Sequence, residues 1–263
     1  GQATAGDVNG DGFSDLIVGA PSYNNVQPAS GRAFLYHGST AGLAGSPSWT
    51  AAGGAFFGSW VASAGDVNGD GFSDVIVGAE LGDLAYIFMG NSGLGLDRRP
   101  QQLRADGTAP IDFLGASDSD SSFRLRATGR TPAGRGRVRL EWEARALGVP
   151  FDESDLERSA WFDTGPPGAG PGSGSGVLLE QAATGLSSGT PYRWRLRFAS
   201  NDPFFPRSPW LSLPYNGREE TDLRTPGCRD LDGDGFGVLS DPACAGGVAI
   251  DCDDTNAATH PGA

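Results

Sequence analysis

Two nine-residue stretches of this chain are identical. They are Asp7-Val8-Asn9-Gly10-Asp11-Gly12-Phe13-Ser14-Asp15 and Asp66-Val67-Asn68-Gly69-Asp70-Gly71-Phe72-Ser73-Asp74. Each sets a side-chain oxygen at its first, third, fifth and ninth positions and a glycine at its sixth. Ca²⁺ is a hard cation that takes six to eight oxygens, and alternate side chains on a tight turn converge on such an ion. The candidate ligands are Asp7, Asn9, Asp11 and Asp15, then Asp66, Asn68, Asp70 and Asp74. The main-chain carbonyls of Phe13 and Phe72 are the expected seventh-position ligands. Gly12 and Gly71 permit a turn that a Cβ would strain. A third acidic stretch, Asp230-Leu231-Asp232-Gly233-Asp234-Gly235-Phe236, begins the same way. Its ninth position is Val238, so the missing oxygen must come from elsewhere, and Asp251, Asp253 and Asp254 are the obvious suppliers. The tail candidates are thus Asp230, Asp232, Asp234, Phe236, Asp251 and Asp253.

The elements around the first two loops are strands. An EF-hand needs flanking helices and a bidentate Glu at position twelve, where this chain has Val18 and Val77. Those residues lie in Leu16-Ile17-Val18-Gly19-Ala20 and Val75-Ile76-Val77-Gly78-Ala79, short β-branched runs that read as buried strands. A second strand follows in each unit, at residues 32–38 and 84–90, and Phe57 to Gly65 precedes the second loop. A self-similar β unit of this length has the sequence form of a propeller blade.

These units resemble FG-GAP repeats, the blades of the integrin α-subunit β-propeller and of many secreted bacterial proteins. Phe57-Gly58 is the FG; Gly19-Ala20-Pro21 is the GAP, replaced by Gly78-Ala79-Glu80 in the second unit. The resemblance spans residues 1–97 and implies two blades of a calcium-stabilised propeller. The chain opens part-way through a repeat, and a propeller ring needs four to eight blades. The expectation is a piece of a longer protein.

Residues 98–110 are polar and read as a linker. From Ser121 a different alternation begins. Val138, Leu140, Trp142 and Ala144 share one face, and Ser159 to Asp163 reads as a further strand. Residues 165–176 are a Gly/Pro/Ser-rich loop. Leu186, Gly189-Thr190 and Tyr192 have the spacing of a tyrosine corner, after which Tyr192, Trp194, Leu196 and Phe198 face a core. Residues 111–226 thus resemble a fibronectin type III domain, an Ig-like β-sandwich. Arg193, Arg195 and Arg197 fall at period two, on the wet face of a strand. Phe204 to Trp210 reads either as a loop over the sandwich edge or as an exposed aromatic contact site.

The tail, residues 227–263, resembles the MopE-type metal-binding repeat of bacterial surface proteins and, more loosely, thrombospondin type 3 repeats. It carries Cys228, Cys244 and Cys252. A disulfide is expected in so small a segment, but the pairing stays open. Zinc would need more Cys/His ligands than His260 supplies.

The fold class is therefore all-β: two blades of a partial propeller, a sandwich, and a small cysteine-bearing calcium tail. The 19 basic residues, all arginine, face 32 acidic ones, for a net charge of −13. That balance argues against a nucleic-acid partner. No apolar run reaches the ~18 residues of a membrane helix. There are two histidines: His37 matches Met89 in the repeat, and His260 lies in the tail. Neither has a catalytic partner in register, so an enzyme is not expected. The expected role is adhesion or other binding of an extracellular protein or glycan ligand by a secreted or surface-attached bacterial protein, with structural Ca²⁺. The rivals are an accessory region of a secreted hydrolase and a plain spacer.

Overall fold

The computed structural model describes residues 1–23, 30–90, 100–166, 176–213, 216–217, 219–227, 237–238 and 250–251. It is all-β. The first repeat unit is an antiparallel four-stranded meander: β1 (Gln2–Gly6), β2 (Asp15–Ala20), β3 (Gly31–Tyr36) and β4 (Trp49–Gly53). The second has three strands: β5 (Phe57–Gly65), β6 (Asp74–Ala79) and β7 (Leu84–Phe88). The identical loops occupy identical places, joining β1 to β2 and β5 to β6. Strand β4 lacks the β-branched run that marks β2 and β6, and the sequence reading passed over it.

The alternation expected of a pleated strand is visible in β2, where Asp15, Ile17 and Gly19 are buried between less buried neighbours. The two sheets share one apolar core that includes Ile17, Leu35, Phe57, Val75 and Val77. Phe57, the aromatic of the Phe-Gly pair, is 2% exposed and meets Tyr86 and Phe88 edge-on. It thereby ties β5 to β7.

Strand β8 (Gln101–Leu103) lies inside the expected linker of 98–110 and pairs with β10 (Phe123–Gly129). Leu103 and Gln102 are almost wholly buried, and the Gln102 amide accepts from Trp194 Nε1 at 2.8 Å. The polar composition of this stretch concealed a strand whose Gln is a core hydrogen-bonding residue. Short β9 (Gly115–Ala116) follows. The long strands are β11 (Arg137–Ala146) and β15 (Pro191–Ser200), paired over nine residues from Val138↔Ser200 to Ala146↔Tyr192. The stretch Ser159 to Asp163 supplies no single strand. Instead β12 (Glu157–Arg158) and β13 (Phe162–Asp163) each make a brief pairing with β11. Strand β14 (Val177–Ala183) pairs with β10, and β16 (Leu223–Arg224) joins β15 to β9.

The sheet β14-β10-β8 packs on the sheet of β11, β15 and their neighbours over a common core that includes Phe123, Leu125, Leu140, Leu179, Trp194 and Leu196. Trp142, at 3% exposed, belongs to it, as do Val138 and Phe198. The Tyr192 hydroxyl accepts the Ser187 N–H at 2.7 Å, closing the expected corner. The outer face of β11 and β15 carries an ion-pair ladder. Glu141, fully buried, meets Arg197 at 2.9 Å and Arg139 at 2.8 Å, and Glu143 meets Arg195 at 2.6 Å. Trp210 lies over Arg195 and Arg197 at 4.0 and 4.1 Å. The alternating arginines do occupy the outer face, but aromatic rings cover them. In the tail beyond Gly227 only β17 (Gly237–Val238) and β18 (Ile250–Asp251) are described, as a parallel pair.

Candidate cation-binding loops

In both loops the position-one aspartate accepts the N–H of the sixth-position glycine. Asp7 Oδ2 takes Gly12 N at 2.8 Å and Asp66 Oδ2 takes Gly71 N at 2.9 Å. The third residue accepts from the fifth, Asp11 N to Asn9 Oδ1 and Asp70 N to Asn68 Oδ1, each at 3.1 Å. The fifth accepts from the seventh, Phe13 N to Asp11 Oδ1 and Phe72 N to Asp70 Oδ1, each at 2.9 Å. The ninth is held on both sides. Asp15 takes Val8 N at 2.8 Å and Gly38 N at 2.9 Å; Asp74 takes Val67 N and Gly90 N, both at 2.8 Å. Chains of short side chains accepting from the backbone two residues on are what fold an Asp/Asn/Gly sequence into a tight turn. Gly12 and Gly71 stand at φ +92° and +82°.

One oxygen in each loop is left over. Asp7 Oδ1 and Asp66 Oδ1 are buried and have no hydrogen-bond partner. Asp7 as a whole is 3% exposed. Such an orphan costs free energy unless a proton or a cation meets it. Burial pushes the Asp7 carboxyl up to about 7; the Gly12 N–H opposes this, and the charges of Asp15 and Asp11 add to it. Asp66 is pushed to about 7 by burial and then by the Asp70 charge, against the Gly71 N–H. Burial lifts Asp15 to about 6 and also raises Asp74, each opposed by its glycine N–H.

The donor set fits a hard cation. It consists of oxygens, and each carboxylate oxygen has a second lone pair beside its hydrogen bond. Asp7, Asn9, Asp11 and Asp15 are buried, whereas Asn68 is exposed. Among the described residues, no three His, Cys, Asp or Glu side chains cluster closely enough to hold a metal. A cation here would depend on the asparagine and main-chain oxygens as much as on the carboxylates. Asp230, Asp232, Asp234, Phe236 and Asp253 lie outside the described residues, as do the three cysteines. Asp251 is described in its backbone alone.

Several contributors escape a reading by loop spacing. Gly38 and Gly90 anchor the ninth-position carboxylates from the far ends of β3 and β7. Their shared place in the two units was a signal that could have found them. Ser73, the eighth residue, reaches the other loop: its N–H donates to Asp7 O at 3.0 Å and its hydroxyl to Ala5 O at 2.6 Å. Arg130, from the turn after β10, donates Nη1–H to Gly10 O at 2.7 Å and stands 5.2 Å over the Phe72 ring. No local pattern points to Arg130. The same turn places Pro132 O where it accepts Asp7 N at 2.7 Å.

The FG-GAP repeat family matches residues 1–36 and 57–95, the two sheets that carry these loops. The chain is 42% identical over 108 residues to integrin alpha-3 of Mus musculus, covering 37% of this chain and 10% of that protein. Over 98 residues it is 40% identical to integrin alpha-4 of Xenopus laevis, covering 33% of this chain and 9% of the relative. Integrin alpha-11 of Homo sapiens is 36% identical over 131 residues, or 44% of this chain and 10% of the relative. The chain thus spans about a tenth of the length of these relatives. Its N-terminal region is an FG-GAP, integrin-alpha-like one. Among the described residues no helix is long and apolar enough to cross a membrane.

Proposed function

We propose that this chain is a non-enzymatic, calcium-stabilised binding module of an extracellular protein, with an adhesion or ligand-binding role. The observation that carries the reading is the repeated orphan: in both loops the first carboxylate has one buried oxygen without a hydrogen-bond partner. Two Ca²⁺ ions would be held by Asp7, Asn9, Asp11, Asp15 and the Phe13 carbonyl, and by Asp66, Asn68, Asp70, Asp74 and the Phe72 carbonyl. Bound calcium would supply the positive charge that buried carboxylates require. On this reading the two FG-GAP sheets are blades of a β-propeller. The sandwich, with its Tyr192 corner and core Trp142, is a fibronectin III-like module. The tail is a MopE-type repeat with a third calcium site at Asp230, Asp232, Asp234, Phe236, Asp251 and Asp253. A secreted or surface location in a bacterium completes the reading.

Binding of the labelled protein to arrays of immobilised extracellular-matrix proteins and glycans, in Ca²⁺ and in EDTA, tests the role. Retention on particular spots in Ca²⁺ and its loss in EDTA supports a calcium-dependent binding module. Arrays blank in both conditions sink the binding role and leave a spacer.

A further inference from the structure

The two loops lie far apart in sequence but are joined in space. Phe72, fully buried, covers Gly10, so that a Cβ at Gly10 would run into its ring. Ser73 donates twice into the first loop's approach, to Ala5 O and to Asp7 O. Asp7 is the candidate first ligand of one site, and Phe72 O the candidate seventh ligand of the other. Arg130 closes the junction. Its Nη1 holds the Gly10 carbonyl, its plane covers Phe72, and its Cβ lies where a Cβ at Gly71 would be 3.1 Å away. Arg130 is 8% exposed, so this placement is fixed by packing on several sides.

We propose that the two loops bind cations with positive cooperativity, and that Ser73 and Arg130 are the positioning residues that transmit it. This rests on the cation-binding reading above. Filling the second loop fixes Phe72 and Ser73 through the ligand carbonyl and the adjoining Asp74. Those residues in turn fix the backbone of Asp7 and Gly10. The ordering cost of the first loop is then already met when its own cation arrives. Coupling between sites is reciprocal, so filling the first loop helps the second equally.

The test is a Ca²⁺ titration of the ¹⁵N-labelled full chain, read at the Gly12 and Gly71 amides. Each of these N–H groups donates to its own loop's first carboxylate and so reads the filling of that loop. In the unaltered protein the two amides should share one midpoint and titrate more steeply than a single-site curve. In Asp66→Asn, which cripples the second loop, the Gly12 midpoint should move to about two-fold to twelve-fold higher Ca²⁺, the square root of a five- to 150-fold coupling between two like sites. In the Ser73→Ala, Arg130→Gln double variant, which keeps every candidate ligand, both amides should still respond. Adding Asp66→Asn to that background should shift the Gly12 midpoint less than two-fold. Single-site curves in the unaltered protein, or an unmoved Gly12 midpoint in Asp66→Asn, would overturn the coupling and leave the cation reading intact. No response at either amide would sink both.

Discussion

Gly10 offers the sharpest test of how the first loop is built into its surroundings. It stands at φ +72°, with the Phe72 ring and the Arg130 guanidinium closing over the space where a Cβ would project. Gly10→Ala therefore incurs two costs. A left-handed backbone at a residue with a Cβ costs about 1–2 kcal/mol. Forcing an extra carbon into close-packed surroundings adds about 1–3 kcal/mol, for a total of roughly 2–5 kcal/mol. Gly42 separates the two. It also has positive φ, +99°, but nothing lies within 4 Å of its Cβ position. Gly42→Ala should cost the backbone share alone, about 1–2 kcal/mol. Gly54 has neither feature, with open space and no positive φ. Gly54→Ala should be neutral or stabilising by about 0.4–1 kcal/mol, because it restricts the unfolded chain. Urea unfolding at fixed pH, with EDTA throughout, reads all three as midpoint shifts at constant m. If Gly10→Ala and Gly42→Ala cost the same within about 0.5 kcal/mol, the packing share is absent. Phe72 and Arg130 would then not close on the loop.

Other consequences can be checked on the sandwich. Tyr192→Phe removes the acceptor for the Ser187 N–H and should cost about 0.5–1.5 kcal/mol in urea unfolding. Trp210→Leu keeps apolar bulk but loses the ring over two guanidinium groups, and should cost about 1–3 kcal/mol by the same measurement. Trp161→Leu, which loses a single stack on Arg139 at 4.8 Å, should cost about half as much. Burial pushes Glu141 up, but the Arg197 hydrogen bond and charge, with Arg139 and Arg207, more than offset it and hold the carboxyl below the usual Glu range. A carboxyl lowered in the folded state contributes stability that is present above its unfolded pKa and is lost as pH falls through the lowered value. The Glu141 share of stability should therefore be lost between about pH 5 and about pH 3, so the difference in urea midpoint between the unaltered protein and Glu141→Gln should shrink over that range.

Much of this fold could be read along the chain because its signals are local. The β-branched runs at β2 and β6, the alternation through Val138 to Ala144 and the Leu186-to-Tyr192 spacing each depend on a few neighbouring residues. The loop geometry followed from spacing for the same reason: its hydrogen bonds run between residues two, five or seven positions apart, save those from Gly38 and Gly90. What was missed is long-range. Strand β8 is a strand because β10 offers it an edge and Trp194 offers Gln102 a partner. Arg130 reads as an ordinary turn arginine until the sandwich meets the loops. Phe204 to Trp210 divides between the two readings open to it: Phe204 is 84% exposed, Phe205 packs against Gly65, and Trp210 roofs the arginine ladder.

The central claim is that the orphaned carboxylates hold calcium. It is tested most directly by calorimetric titration of the purified chain with Ca²⁺, paired with melting curves in Ca²⁺ and in EDTA. The account predicts binding at two loop sites, a third if the tail binds as proposed, and a melting point raised by Ca²⁺. At a hundredfold excess over Kd, each site should add about 2.7 kcal/mol of stability. No binding heat, together with superimposable melting curves, would contradict it.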